Sequence, residues 1–275
     1  MSMTYNENEA KPVAKPFPDI PDSVFEQFSM KGKVAIVTGA GSGLGLSAVE
    51  SIAEAGGNIA LWYNSNEETI NIAKKISEKY NVKTKAYKVK VENQEEVNVG
   101  VEEVLRDFDG RVDVMIANAG AAKSQGILEQ SMEDWKRQVD INYYGVVFCA
   151  KAAGLQFKKQ GFGNLIITSS ISAHIVNVPI DQPCYNSTKA AVTMLGKCLA
   201  REWREFARVN IISPGYFKTN LGASDKAQSE AYRMSVMGRQ GHVKEIKGLF
   251  LYLSSNASTY VTGSDFIIDG GYTLP

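Results

Sequence analysis

The stretch Thr38-Gly39-Ala40-Gly41-Ser42-Gly43-Leu44-Gly45 stands between a β-branched run, Lys33 to Thr38, and an apolar segment of helical period, Gly43 to Ala55. A glycine-rich turn that takes a short strand straight into a helix leaves few folds open, because the next strand must return beside the first by way of that helix. The pattern then repeats. Strands are expected at Asn58 to Tyr63, Lys83 to Val89, Val112 to Ala117, Asn164 to Thr168, Val209 to Ile212 and Phe266 to Ile268. Helices are expected at Glu67 to Tyr80, at Gln94 to Phe108, within Asp134 to Lys159, from the Tyr185 segment to about Phe206, and at Lys244 to Leu253. Short strands alternating with longer helices give right-handed crossovers and a parallel sheet covered on both faces. The expected fold is α/β, one domain with a doubly wound parallel sheet of about seven strands.

The start of the chain does not share this rhythm. Residues 1 to about 22 are polar and carry Pro12, Pro16, Pro18 and Pro21, which keep a segment out of helix and sheet interiors. Residues 1–28 are therefore read as a flexible arm, with Val24, Phe25 and Phe28 as a patch to pin its end, and 29–275 as the domain. The 30 basic and 30 acidic side chains cancel, so there is no electrostatic case for nucleic acid or an anionic membrane as partner. No signal-like leader and no apolar run long enough to span a bilayer occurs. The cysteines Cys149, Cys184 and Cys198 form no C-x-x-C pair and read as reduced thiols, which suggests a cytoplasmic protein. His174 and His242 stand far apart, giving little support to a metal cluster or a His-based triad.

A glycine-rich strand-to-helix turn also has a chemical use. Backbone N–H groups at Gly39, Gly41, Ser42, Gly43, Leu44 and Gly45 can approach a pyrophosphate, and the helix N-terminus favours its negative charge. This is the Rossmann-type arrangement. A ligand-free tight turn is the bland alternative, and the long βα series argues against it. No Gly-Lys-Ser/Thr follows, which excludes a nucleotide-hydrolysing P-loop. After the second strand, where an NAD-binding chain places a carboxylate on the ribose, this chain reads Trp62-Tyr63-Asn64-Ser65-Asn66. Nothing there repels a 2′-phosphate, so NADP(H) is expected, with Asn64 and Ser65 as donors. The fourth strand ends in Asn118-Ala119-Gly120, where Asn118 either fixes strands or meets the cofactor ribose.

The fifth strand ends in Thr168-Ser169-Ser170-Ile171-Ser172, which brings hydroxyls to the same carboxyl edge. Ser170 or Ser172 could donate to a substrate carbonyl oxygen. Downstream lies Cys184-Tyr185-Asn186-Ser187-Thr188-Lys189. In a helix Tyr185 and Lys189 share one face, and an ammonium beside a phenol lowers its pKa, making Tyr185 a usable proton donor.

The glycine turn, N-A-G at 118–120, the strand-end serines and Y-N-S-T-K at 185–189, in this order, resemble the short-chain dehydrogenase/reductase family over Lys33 to about Thr273. The resemblance implies a seven-stranded parallel sheet and an assembly of four or two copies. It implies Tyr185 as acid/base, Lys189 as the group that lowers its pKa and holds the nicotinamide ribose, and Asn142 as the residue holding a relay water. It also implies Ser170 as the catalytic serine, with Ser172 as competitor at the spacing more usual in the family. Pro214, Gly215, Phe217 and Thr219 match the segment that meets the nicotinamide amide and phosphates. Lys90-Val91 departs from the family, which has Asp before an apolar residue near the adenine; only the backbone at Val91 carries over.

The segments S-V-F-E-Q-F-S-M-K-G-K-V, W-Y-N-S-N, I-I-T-S-S-I-S-A and G-S-D-F-I-I-D-G-G-Y-T-L-P are similar to a narrower branch. It contains yeast NADPH-dependent sorbose reductases, fungal mannitol dehydrogenases and stereoselective carbonyl reductases. What this implies is reversible reduction of a ketose, such as sorbose, fructose or a pentulose, to its polyol. Two alternatives are a 3-oxoacyl or aryl ketone reductase and a non-catalytic NADP(H)-binding sensor. The polar stretch Leu221 to Gly238 reads as a flexible helical lid over this small-molecule site.

Overall fold

The computed structural model describes residues 15–219 and 225–274. The strands in chain order are β1 Val34–Thr38, β2 Asn58–Tyr63, β3 Thr84–Lys88, β4 Val114–Ala117, β5 Asn164–Thr168, β6 Arg208–Pro214, β7 Phe217–Lys218, β8 Gly241–His242 and β9 Asp265–Ile268. The helices are α1 Val24–Gln27, α2 Gly43–Glu54, α3 Glu68–Tyr80, α4 Gln94–Asp107, α5 Met132–Val139, α6 Gly145–Gln160, α7 Pro183–Glu202, α8 Asp225–Met234 and α9 Lys247–Ser254. Seven strands form one sheet in the order β3-β2-β1-β4-β5-β6-β9, while β7 and β8 pair separately. Every neighbouring pair in the large sheet is parallel. The doubly wound α/β fold expected from the sequence is the fold observed.

Period-two alternation along the strands divides the core into two layers. On β1, Val34 and Ile36 pack with Trp62, Val97, Phe157 and Trp203, whereas Ala35 and Val37 pack with Ile52, Ile59, Phe250 and Leu253 on the opposite face. Helices cover both sides, so β1, β4 and β5 are buried along their whole length. Each large aliphatic side chain fully withdrawn from water in this way contributes roughly 1.5–3 kcal/mol. The direction of winding reverses between β1 and β4, and the crevice outside the carboxyl ends of these strands is where an open parallel sheet takes its ligand.

Several boundaries differ from the expectation. The long helix within Asp134 to Lys159 is really α5 and α6 joined by a π turn, Asp140–Tyr144, in which the Gly145 N–H reaches back to the Asp140 carbonyl. A single widened turn shifts the buried face by about 100° but spans only five residues, too few for a hydrophobic pattern to separate it from an α-turn. Helix α7 stops at Glu202 because Trp203 turns into the core and stacks on Phe206, with ring centroids 5.9 Å apart. Within the expected lid, α8 is present, while 220–224 lie outside the described residues.

The first half of the expected flexible arm, 1–14, also lies outside the described residues. Its end is held by Lys15, which donates to the Arg204 carbonyl at 2.9 Å and pairs with Glu205 at 2.8 Å. Phe28 packs on Tyr252, but Phe25 stays 86% exposed, so the expected apolar patch docks through one ring. Among the described residues no helix is long and apolar enough to cross a membrane.

Candidate active site

The glycine turn works by letting backbone approach backbone. Gly39 sits at φ +64°, and a Cβ there would lie 3.2 Å from the Ala119 Cα. A Cβ on Gly45 would stand 2.2 Å from the Gly39 carbonyl oxygen, so only glycine lets the first turn of α2 lie on the turn that precedes it. Ser42 is the N-cap of α2 yet makes no side-chain capping bond. The first N–H groups of this twelve-residue helix are thus left for an outside acceptor at the cleft wall. These features fit a dinucleotide pyrophosphate.

Thr38 ties the crevice together. Its hydroxyl oxygen accepts from the Asn118 and Ala119 N–H groups at 2.9 and 2.8 Å, and its carbonyl accepts from Asn118 Nδ2 at 3.0 Å. Asn118 therefore joins β4 to β1, the first of the two roles its sequence position allows. Thr38 itself was not legible as a site residue, because a strand-end threonine carries no signal until β4 is known to lie beside it. Thr38→Val is expected to cost about 1–3 kcal/mol in urea unfolding, the penalty for stranding two N–H groups, and to weaken dinucleotide binding measured by fluorescence titration.

A cleft of about 620 Å³ runs along the carboxyl edge of the sheet. It is lined by Gly39, Ser42, Gly43, Leu44, Gly45, Asn118 and Gly120 at one end, and by Ser170, Tyr185 and Lys189 at the centre. Pro214, Gly215, Phe217 and Thr219 close one side, and a Cβ on Gly43 would come within 3.4 Å of Thr219 Cγ2. Other expected residues stand off it. Gly41 faces Thr69 and Asn66, whose Nδ2 donates to the Gly41 carbonyl at 3.2 Å. Asn64 and Ser65 follow β2 in an exposed loop, and Val91 is buried beneath Gly145. Lys88, in register with Tyr63 at the end of β2, lies near that loop, where it pairs with Glu67 at 3.4 Å.

Helix α7 is clamped onto β5 so that its first turns face the cleft. Ser169 Oγ donates to the Lys189 carbonyl at 3.1 Å and shares a 2.6 Å hydrogen bond with Thr193 Oγ1. Lys189 is 4% exposed, and its ammonium donates to the Thr168 carbonyl at 2.9 Å. Burial pulls its pKa down to about 8. The ammonium lies 5.6 Å from the centroid of the Tyr185 ring.

This corrects one expectation. The Tyr185 pKa stands above its ordinary value, because burial disfavours the phenolate more than the neighbouring Ser170 hydroxyl favours it. Lys189 spends a proton on a carbonyl and sits over the ring, so in this arrangement the ammonium is not what sets the phenol.

Asn142 lies in the π turn and is fully buried. Its Oδ1 accepts from the Ala121 N–H at 2.8 Å, and its Nδ2 donates to the Ala121 carbonyl at 2.8 Å and to Thr188 Oγ1 at 3.2 Å. The side chain fastens the loop after β4 to α7, so its amide has little left for a water. Ser170 Oγ accepts from the Ser172 N–H and donates to Ser172 Oγ, both at 3.1 Å. Of the two serines, Ser170 is the one whose hydroxyl influences the Tyr185 phenol, opposing the effect of burial.

Beyond Tyr185 the wall consists of residues that sequence reasoning did not select, Asn177, Gln182, Tyr216, Gln228, Tyr232 and Gln240. Burial pushes the Tyr216 phenol up to about 12. Polar residues in connecting loops look alike until the fold aims some of them inward. The two histidines serve elsewhere, His174 facing Asp265 at 2.9 Å and His242 accepting from the Lys244 N–H. No group of three metal-ligating side chains occurs among the described residues.

Comparison with known proteins agrees with this geometry. The model of the family described as enoyl-(acyl carrier protein) reductase matches residues 39–273. The sorbose reductase of Candida albicans is 45% identical over 269 residues, which cover 96% of this chain and 95% of that one. The NADP-dependent mannitol dehydrogenase of Alternaria alternata is 47% identical over 252 residues, covering 90% and 94%. Among solved structures, the NADPH-dependent 3-quinuclidinone reductase of Rhodotorula rubra superposes with a TM-score of 0.94 at 48% identity, covering 96% of this chain and all of that one.

Proposed function

The chain belongs to the short-chain dehydrogenase/reductase family, and from that premise we propose that it reduces a ketose of the sorbose, fructose or pentulose type to its polyol. It is an NADP(H)-dependent oxidoreductase, like the relatives whose names carry that cofactor. The observation that carries the ketose reading is the chemistry of the substrate wall. Ser172, Asn177, Gln182, Tyr216, Gln228 and Tyr232 offer amides and hydroxyls, and among the described residues the cleft lining holds no carboxylate, its charged members being Lys189 and Lys218. Neutral groups that both donate and accept suit a neutral molecule with several hydroxyls.

NADPH, when bound, supplies the hydride for the carbonyl carbon. Tyr185 donates its proton to the carbonyl oxygen, and the Ser170 hydroxyl donates a hydrogen bond to the same oxygen and orients it. Lys189 keeps a positive charge beside the developing phenolate. Asn142 holds the loop at Ala121 against α7 and so supports the route by which Lys189 is reconnected to water. Gly39, Ser42, Gly43, Leu44 and Gly45 with Thr219 would hold the pyrophosphate, Asn64 and Ser65 the 2′-phosphate, and the backbone at Val91 the adenine. The free thiols Cys149, Cys184 and Cys198 are in keeping with a cytoplasmic location, and exposed Leu155 on α6 and Met194 on α7 with assembly into dimers or tetramers.

The test is NADPH consumption against a panel of ketoses, 3-oxoacyl thioesters and aryl ketones. Preferred turnover of a ketose is the expected result. Preference for a thioester or aryl ketone refutes the substrate class, and tight NADPH binding with no turnover of any carbonyl refutes the enzyme reading.

A further inference from the structure

Ser170 and Ser172 look like rivals in the sequence, yet the structure joins them in one hydrogen-bond chain whose direction can be worked out. The chain begins at the Ile175 carbonyl, which can only accept. Asn186 Nδ2 donates to it at 2.9 Å, which identifies that end of the Asn186 amide as nitrogen. The same nitrogen donates to Asn177 at 3.1 Å, so the receiving atom is Oδ1. Asn177 Oδ1 also accepts from Gln182 at 3.0 Å, which identifies the Gln182 atom as Nε2. The second proton of Nε2 goes to Ser172 Oγ at 3.3 Å. None of these amides can turn over without setting two donors or two acceptors face to face.

The consequence falls on the serines. Ser172 Oγ accepts from Gln182 Nε2 and from Ser170 Oγ, which fills both acceptor sites of the hydroxyl and leaves its proton without an acceptor among the described residues. A carbonyl oxygen arriving beside Tyr185 gives the Ser170 proton a better acceptor. Once Ser170 turns to it, the Ser172 proton can turn to Ser170 Oγ. The chain then runs in one direction, from Gln182 N–H to Ser172 O–H to Ser170 O–H to the substrate oxygen, and hydrogen bonds aligned this way strengthen one another.

We propose that Ser172 and Gln182 are positioning residues that hold the Ser170 hydroxyl as a donor to the substrate oxygen. This rests on the reading of the cleft as a carbonyl-reducing site and extends it. None of these residues belongs to the glycine turn or to the start of α2, so the chain is expected to act on turnover and to leave cofactor binding alone.

The test is a double-mutant cycle on the ketone that the unmutated protein turns over fastest. Gln182→Met keeps side-chain length without the donors, and Ser172→Ala removes the middle of the chain. Each is expected to lower kcat about 10-fold, with KM for the ketone and the Kd for NADPH within about 2-fold. In a Ser170→Ala background the same changes are expected to cost less than about 2-fold, because the group they position is gone. Retention of NADPH binding shows that a variant is folded; if Gln182→Met fails this check, Ser172→Ala decides. Undiminished kcat in the folded variants, equal fold losses with and without Ser170, or a raised KM at unchanged kcat each overturns the proposal. The expected cycle on an aryl ketone, with ketoses inert, supports the chain while refuting the ketose. Absence of turnover on any carbonyl overturns both.

Discussion

Replacing Tyr185 by Phe is expected to leave NADPH binding intact and to cut turnover by at least ~100-fold, the scale of general acid catalysis. Only a hydroxyl is lost. The ring that lies 5.6 Å from the Lys189 ammonium remains, as do the clamps from Ser169 to α7, so the cleft has no reason to collapse. What disappears is the proton. Burial places the Tyr185 pKa above its ordinary value, so at neutral pH the group is protonated and ready for reduction. The reverse reaction needs the phenolate, and alcohol oxidation should therefore rise with pH while ketone reduction does not. Stopped-flow measurement of NADPH oxidation, beside a fluorescence titration of NADPH, checks both parts. Turnover near that of the unmutated protein would remove Tyr185 from the proton-donor role.

The fold was legible because its signals are local. The β-branched run before Gly39, the positive φ that Gly39 adopts and the buried strands repeating along the chain each follow from neighbouring residues. Tyr185 and Lys189 were legible for the same reason, since four residues in a helix bring them to one face. The rest of the site was not, and its partners show why. Thr38 meets Asn118 across 80 residues, and Asn142 meets Thr188 across 46. Gln182 precedes Tyr185 by a single helical turn, but its meaning depends on Asn177 and Ser172, which the loop after β5 folds back toward it. The Tyr185 pKa was misjudged because spacing reports which side chains are neighbours, not how much water they have lost. Asn64 and Ser65 stay in an exposed loop because only the end of β2 positions them.

Lys189→Met is expected to abolish most activity, by ~100-fold or more, and at neutral pH to make the cofactor-free protein more stable. The two effects have one origin. Lys189 is buried, its ammonium has a carbonyl but, among the described residues, no carboxylate for a partner, and burial lowers its pKa from 10.5 to about 8. Below about pH 8 the lysine is charged in both folded and unfolded chains, and the folded chain carries the cost of the buried charge. Between about 8 and 10.5 the unfolded chain binds more proton than the folded one, so this group makes stability rise with pH across that window. At about 1.4 kcal/mol per pH unit the full rise is on the order of 3 kcal/mol, offset in the variant by about 1 kcal/mol for the bond lost at Thr168. Urea unfolding of both proteins should show the methionine variant ahead at pH 7 and its lead shrinking as pH passes from 8 toward 10.5. A difference that stays constant over that range would mean the buried ammonium costs the fold nothing. A lead that shrinks would make Lys189 a residue kept against stability, which is expected where a charge is held for a reacting oxygen that only the bound substrate and cofactor bring.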